Sequence, residues 1–177
     1  MLLLGWLSIL LGGVYPLILT GFAHLGWSDA AQGSQLIKEG QVRGSIHLGQ
    51  GFKSDRYFWP RPSASNYATL PSRGAEINFM NSTLRERMVK KQDTLPADLL
   101  LDSASGLDPD ITLATALFQV DRVAKARGML SEEDRKTLIS LVMQAKVQKP
   151  LNLFGRDSVN VLLLNHSLDT LPSKEKP

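Results

Sequence analysis

The distribution of charge along the chain is the feature that most constrains its fold. All 20 Lys and Arg residues and all 17 Asp and Glu residues lie at or beyond Asp29, so residues 1–28 carry no charged side chain. As a helix rising about 1.5 Å per residue, Leu2–Trp27 would span about 39 Å, which exceeds the roughly 30 Å hydrocarbon core of a bilayer. The sequence therefore predicts a transmembrane helix at residues 1–28, followed by a polar domain at residues 29–177.

Small residues recur through the apolar segment every three or four positions. Gly5, Ser8 and Gly12, continued by Pro16 and Thr20, share one face of a helix. A stripe of small side chains lets a second helix approach closely, so we predict a packing face there. The alternative is that glycine is simply frequent in membrane helices. Pro16 is also expected to kink the span.

A cleaved signal peptide is the rival interpretation of this segment. Signal peptides begin with basic residues and have an apolar core of about 7–15 residues, whereas this segment has no basic residue and a longer core. A small-residue site at Ala30 and Ala31 keeps the alternative open. The charge pattern does not orient the span, because no Lys or Arg precedes it and the first one after it is Lys38.

The first half of the polar domain is predicted to contain short elements and one long loop. Residues 35–48 suggest strands around a turn at Glu39–Gly40. Residues 53–80 lack a sustained period but are rich in aromatic residues and proline, which is typical of a structured, functional loop. A helix with a basic face is expected at residues 81–91, and a buried strand at residues 95–101.

Helices are predicted in the second half. Asp108 as N-cap and Pro109 at the first helical position predict a helix over Pro109–Ala126 that ends at Gly128. Ser131 begins another helix through a variant of the capping box, and Val159–Leu168 is interpreted as a helix rather than a strand. The residues predicted to face the core are Leu113, Ala116, Leu117, Val120, Val123, Leu138, Leu141, Val142, Ala145, Val161, Leu164 and Leu168. The mixture predicts an α/β or α+β domain with a small sheet.

Motifs for catalysis or cofactor binding are missing from the sequence. The chain has no Cys, no P-loop and no H-E-x-x-H motif, and its three His residues share no metal-ligand spacing. Ser103 and Ser105 precede a predicted helix, which keeps a membrane-anchored or secreted serine hydrolase open; a generic binding module is a further alternative. The net charge of +3 is too small to predict nucleic-acid binding. The residues alone favour an accessory subunit without a metal site.

Six segments, taken in order, resemble a known family over nearly the whole chain. Together they are similar to the KdpC family, a subunit of the bacterial high-affinity potassium-transporting P-type ATPase. The segments are Val14–Leu17, Gly44–Gln50, Tyr57–Phe58 with Arg61–Ala64, Ser105–Asp108, Gln119–Val120 with Arg122–Arg127, and Val159–Leu162 with Leu164–Asn165 and Leu168–Asp169.

The resemblance implies a role in a four-part complex of the cell inner membrane. The implied partners are a potassium-translocating subunit, an ATP-hydrolysing P-type subunit, a small hydrophobic subunit and membrane lipid. It further implies a single-pass protein whose C-terminal domain is extracytoplasmic, without enzymatic activity of its own and without a stably bound cofactor. The implied function is that of a catalytic chaperone, which raises the ATP affinity of the hydrolysing subunit.

The resemblance and the residue pattern together nominate three groups of site residues. The packing residues in the membrane are Gly5, Ser8 and Gly12; the candidates for docking are Tyr57, Arg61 and Asp108; the nucleotide-related candidates are Gln119, Arg122, Lys125 and Arg127. ATP is cytoplasmic, whereas the implied position of the domain is external. We therefore expect an indirect effect on ATP binding, exerted by stabilising the pump or by gating ion entry at its external mouth.

Overall fold

The computed structural model describes residues 1–71, 74, 95–147 and 155–171. By its contacts the chain divides into two compact units, Met1–His47 and Leu48–Pro177. The helix predicted at residues 81–91 lies outside the described residues.

The first unit begins with the predicted apolar helix. It consists of α1 (Leu2–Ile9), a π-helical turn (Leu10–Val14) and α2 (Tyr15–Gly26). The whole of Leu2–Gly26 has a mean hydropathy of 2.1 over its most apolar window, and none of that window is buried. Pro16 is predicted to kink this helix. The structure has a π-helical turn just before it, because the proline ring has no N–H to donate to the regular series of helix hydrogen bonds. Length and composition thus make this helix able to cross a membrane.

A short helix and a hairpin complete the first unit. The short helix α3 (Ser28–Ala31) leads to β1 (Gln35–Lys38) and β2 (Gln41–Ser45), which pair antiparallel. The turn is where the sequence predicted it, with positive φ at both central residues, 55° at Glu39 and 72° at Gly40. That geometry matches the right-handed twist of the strands. The second strand ends at Ser45, before the predicted limit at Leu48.

The second unit is a small helical core organised around one antiparallel strand pair. Its elements are α4 (Ala97–Leu100), β3 (Asp110–Thr112), α5 (Leu113–Ala126), α6 (Glu132–Gln144), β4 (Ser158–Asn160) and α7 (Val161–Leu168). Strands β3 and β4 pair with Ile111 opposite Val159. Because the pairing is antiparallel and the helices pack around it, the unit is of the α+β type.

The predicted core faces are confirmed where the structure describes them. Leu138 and Leu164 are fully buried, and the capping box at Ser131 forms with Asp134. Among the described residues, the buried apolar residues that form one core cluster are Phe58, Ile111, Ala116, Val120, Val123, Ala124, Met129, Leu138, Val142, Val159, Val161, Leu164 and Leu168. Of the other predicted core residues, Leu113, Leu117, Leu141 and Ala145 are partly buried against this cluster.

Three predictions about local structure were wrong in whole or in part. The helix predicted over Val159–Leu168 begins only at Val161, because Ser158–Asn160 is the strand β4. The apolar run at residues 95–101 contains the helix α4 rather than a buried strand. The helix predicted from Pro109 begins instead at Leu113, because Asp110–Thr112 is extended and pairs with β4. Its N-cap is Thr112, whose hydroxyl accepts a hydrogen bond from Thr115 N, and not Asp108. A strand partner almost 50 residues away outweighed the local capping preference.

Candidate functional site

Residues 55–59, here called the aromatic segment, enter the core of the second unit at Phe58. They belong to a stretch, residues 46–71, in which the structure has neither helix nor strand. Phe58 is fully buried and Tyr57 and Trp59 are half-buried. A buried backbone outside regular structure must find other partners for its polar groups. Side chains of α5 and α7 and of the turns that follow these helices supply those partners.

Two buried amide side chains hold consecutive residues of the segment. Asn165 of α7 accepts a hydrogen bond from Phe58 N (2.9 Å) and donates one to Phe58 O (3.0 Å). Gln119 of α5 does the same for Trp59, with distances of 2.8 Å to its N and 3.1 Å to its O. Both amides are 2% exposed. Each replaces the two hydrogen bonds that a neighbouring strand would make, because an amide carries the same donor and acceptor as a peptide group.

Arg122 binds two further carbonyl groups of the aromatic segment. Its guanidinium donates to Asp55 O (2.7 Å), Tyr57 O (3.0 Å) and Gln119 Oε1 (2.6 Å). It also lies over the Trp59 ring, 3.8 Å from the ring centroid. Burial lowers the pKa of Arg122, an effect that the nearby Asp55 carboxylate opposes. The planar fork of arginine suits this role, because it can donate in several directions while it stacks on a ring.

Arg127 completes the set from the end of α5. It donates to Arg56 O (2.8 Å), to Leu168 O (3.3 Å) and to Asp169 Oδ1 (2.8 Å). Its side chain is 6% exposed. The other oxygen of Asp169 accepts from the Tyr57 hydroxyl (3.3 Å), and the Arg127 guanidinium lies 5.2 Å from the centroid of that ring. The ion pair therefore ties the segment to the end of α7.

The carbonyl groups of all five residues of the aromatic segment thus accept hydrogen bonds from side chains. Three of the four nucleotide-related candidates, Gln119, Arg122 and Arg127, use their donors in this way, and the fourth, Lys125, is exposed on α5. This network of hydrogen bonds holds the backbone of the aromatic segment, and with it the rings of Tyr57 and Trp59, in one position. Asn165 was missed by the sequence analysis, although a polar residue among the buried positions of a predicted helix is a recognisable signal.

Arg61 and Asp108, predicted as docking residues, bind each other. Arg61 Nη1 lies 3.1 Å from Asp108 Oδ2, and Arg61 Nη2 lies 3.5 Å from Asp102 O. Arg61 Nε is buried and has no hydrogen-bond partner among the described residues. The other Asp108 oxygen accepts from Asp110 N (3.1 Å), so this carboxylate caps the edge of β3. The pair links the loop after the aromatic segment to β3.

Neighbouring groups reinforce this link. The Tyr67 hydroxyl donates to Arg61 O (2.7 Å), and burial, with a smaller contribution from the Asp102 charge, raises the pKa of Tyr67. Asp98 accepts from Thr112 N (2.9 Å) and from the Thr115 hydroxyl (3.0 Å). Burial raises the pKa of Asp98, but those hydrogen bonds and the Arg61 charge outweigh it, so the pKa lies below its ordinary value. Asp98 and Asp108 together cap two N–H groups of β3, an edge strand.

The hydroxyls of the serine pair are bound within their own loop. Ser103 is 1% exposed, and its hydroxyl contacts the Ser105 hydroxyl (3.3 Å) and accepts from Asp108 N (3.4 Å). Ser105 is exposed, and its hydroxyl accepts from Leu107 N (3.2 Å). Ser103 N donates to Pro62 O (2.8 Å), so the residue braces the loop at residue 62. Among the described residues no cluster of three or more His, Cys, Asp or Glu side chains could hold a metal ion. The geometry favours a structural role over the hydrolase alternative.

In the first unit, the small residues predicted to pack lie on the surface of the apolar helix. Gly5, Ser8 and Gly12 are exposed, and no atom of the chain lies within 4 Å of a Cβ built on either glycine. A larger side chain would therefore fit within the chain itself. Any restriction on size at these positions would have to come from another molecule.

Comparisons with known proteins match the chain over nearly its full length. The family described as "KdpC: K+-transporting ATPase, c chain" matches residues 1–170. A potassium-transporting ATPase KdpC subunit from Geotalea uraniireducens (strain Rf4) is 44% identical, covering 93% of this chain and 92% of the relative. The protein of the same name from Sorangium cellulosum (strain So ce56) is 41% identical, covering 92% and 91% of the two chains. The chain therefore belongs to the KdpC family of K+-transporting ATPase c chains.

Proposed function

We propose that this chain is a non-catalytic accessory subunit of an ATP-driven potassium uptake pump of the inner membrane. Membership of the KdpC family over residues 1–170 is the observation that carries the proposal. The apolar helix Leu2–Gly26 anchors the subunit. The buried polar side chains of the second unit support a non-catalytic role for the chain, because their donors and acceptors are used to hold the aromatic segment in place.

The second unit acts outside the membrane and docks on the potassium-translocating subunit. Arg61 anchors this docking, because its side chain remains 26% exposed beside Asp108 and its fork can hold a carboxylate or several carbonyl groups of a partner. Tyr57 and Trp59, fixed by the side chains described above, form the adjoining rigid surface. The subunit raises the ATP affinity of the hydrolysing subunit through the assembled complex rather than by holding nucleotide, because Gln119, Arg122 and Arg127 already bind backbone groups.

Omission and replacement of the chain test the function. The pump is purified from membranes with and without this subunit, and potassium-stimulated ATP hydrolysis is measured over a range of ATP concentrations. We expect a large loss of activity without the subunit, recovery when it is added back, and a lower KM for ATP when it is present. Unchanged hydrolysis and an unchanged KM in its absence would contradict the proposal.

The position of the second unit is tested separately. Protease added to intact spheroplasts should cut it, because an external domain is accessible there. Protection in intact spheroplasts, followed by cleavage once the membrane is opened, would place the unit in the cytoplasm and make direct nucleotide contact the better explanation.

A matched pair of substitutions tests Arg61 as a docking residue. Arg61→Ala and Asp108→Ala break the same 3.1 Å ion pair from opposite ends. Asp108→Ala also removes the 3.1 Å cap on Asp110 N, whereas Arg61→Ala removes only a 3.5 Å contact to Asp102 O, so a merely internal brace predicts that Asp108→Ala costs at least as much activity and stability. If Arg61 also binds a partner, Arg61→Ala should reduce potassium-stimulated hydrolysis several-fold more than Asp108→Ala does, although its melting temperature falls no further. Equal activities of the two variants would limit Arg61 to the internal role.

A further inference from the structure

The hairpin β1–β2 is grouped with the apolar helix and not with the second unit. Hydrogen bonds fix it to the segment that follows the helix. Ser34 N donates to Asp29 O (2.7 Å), the Ser45 hydroxyl donates to Gly33 O (2.7 Å), and Ile46 N donates to Ser34 O (3.2 Å). The base of the hairpin is therefore held by a short folded connection rather than by a flexible linker.

The length of this connection keeps the hairpin near the membrane. Gly26 ends the apolar helix and Ser34 precedes β1, so eight residues separate the two. Four of them form α3, which rises only about 6 Å, and the hydrogen bond from Ser34 N to Asp29 O turns the chain back onto that helix. The polar headgroup layer outside the hydrocarbon core is itself about 5–7 Å deep. Trp27, 72% exposed at the helix end, is a residue type enriched at this boundary.

One face of the hairpin is apolar and uncovered within the chain. Ile37 and Val42 lie directly opposite each other in the strand register and are 60% and 58% exposed. A two-stranded hairpin by itself is marginally stable in water and needs something to cover a hydrophobic face. Lys38 and Gln41 are paired in the register next to Ile37 and Val42, so they point to the opposite face. Arg43 pairs with Glu39 at 4.0 Å. The hairpin therefore has an apolar face at Ile37 and Val42 and a polar face on the other side, which is the pattern of an element lying in a membrane interface.

We propose that the lipid bilayer is what covers this face. Ile37 and Val42 rest at the boundary between headgroups and acyl chains, and the face with Lys38 and Gln41 is turned to the water. The hairpin would then be a second, shallow contact of the subunit with the membrane, beside the spanning helix. This contact requires that the apolar helix spans the bilayer, but it does not depend on the role of the chain in a pump.

Because the chain contains no Cys, single-cysteine variants of the full-length protein give unique labelling sites. Val42→Cys, Ile37→Cys and the control Gln41→Cys are each labelled with an environment-sensitive fluorophore and reconstituted into phosphatidylcholine vesicles with or without phosphatidylglycerol. Gln41 is the matched control because adjacent residues of a strand point to opposite faces. Quenching is measured with spin-labelled lipid and with iodide in the water.

We expect lipid quenching at positions 37 and 42 to exceed that at position 41 several-fold, together with a blue-shifted emission. Iodide access should show the reverse order. Equal access of iodide to positions 37, 41 and 42 would overturn the proposal, because the face would then be in water. Shielding of positions 37 and 42 from both quenchers would also overturn it, since protein, such as a second copy of the chain, would then cover the face.

Discussion

The apolar helix and the aromatic segment each depart from the rule that apolar side chains are buried and polar ones exposed, and they do so in opposite ways. In the helix Leu2–Gly26 apolar side chains are exposed, whereas around residues 55–59 the polar side chains of Gln119 and Asn165 are buried. The difference lies in the backbone. A helix satisfies its own peptide groups, so its side chains are free to meet the surroundings. The aromatic segment has no regular structure, and side chains from distant elements must satisfy its backbone.

The largest expected effect comes from removing one buried amide. Asn165→Leu keeps the approximate size of the side chain but leaves Phe58 N and Phe58 O without their partner. Unpaired buried polar groups are costly, so we expect the free energy of unfolding to fall by about 2–5 kcal/mol. Urea unfolding of the full-length chain in mild detergent, followed by Trp59 fluorescence, measures the change.

Two further variants sharpen that experiment. Asn165→Asp keeps an acceptor for Phe58 N, but at neutral pH it buries a carboxylate against Phe58 O, so its destabilisation should be at least as large as that of Asn165→Leu. It should shrink in acid, where the protonated carboxyl regains a donor for Phe58 O. Lys125→Met changes an exposed residue of α5 and should alter stability by no more than about 0.5 kcal/mol. If Asn165→Leu is no more destabilising than Lys125→Met, the side-chain partners of the aromatic segment are not what holds it.

An intermediate effect is expected from Asp98, whose carboxylate caps β3 and the start of α5. Because the pKa of Asp98 is lowered in the folded chain, the unfolded chain binds this proton more readily. Its stabilisation is therefore complete above the ordinary carboxyl pKa of about 4 and is lost as the pH falls through the lowered folded value. Asp98→Asn should lower stability at neutral pH by about 0.5–1 kcal/mol, since the group is partly exposed.

Measuring unfolding from pH 7 into the acid range checks the sign. The difference between the parent chain and Asp98→Asn should shrink as the pH falls. Asp134, which is in the capping box of α6, is a suitable comparison carboxylate, because Asp134→Asn leaves Asp98 unchanged. A constant difference between the parent and Asp98→Asn at every pH would show that the charge of Asp98 contributes nothing.

The smallest effect on the fold is expected within the membrane. Gly12→Leu meets no atom of the chain, so insertion and stability should be unchanged, and Leu even favours insertion. If the stripe of Gly5, Ser8 and Gly12 packs on a partner helix, the variant should still weaken recovery of the complex on purification. Gly21→Leu is the matched control, because Gly21 is also unobstructed but lies outside the stripe. Equal recovery of both variants would reject the packing face.

The elements predicted correctly are those specified by local physics. The turn at Glu39–Gly40, the capping box at Ser131 and the buried face of α7 depend on contacts a few residues apart in the sequence. The failures at Pro109 and at Val159 share one cause, which is the long-range pairing of β3 with β4. Pro109–Thr112 resembles a helix start but becomes a strand because Asp110 pairs with Asn160. The partners of the aromatic segment lie 60–107 residues away from it, so no local pattern could reveal them.

The sequence by itself determined that the chain has an uncharged helix able to cross a membrane, followed by a polar domain, and its ordered segments indicated the family. These properties follow from hydropathy, periodicity and residue order, which can all be obtained from the sequence without knowing which distant residues come into contact. The tertiary structure alone decided the role of the polar residues. The sequence predicted binding roles for Gln119, Arg122 and Arg127 and gave no role to Asn165. In the structure, each of these four side chains binds the backbone of residues 55–59. The reason is that burying an irregular segment requires a hydrogen-bond partner for every peptide group, and only the folded chain brings those partners together.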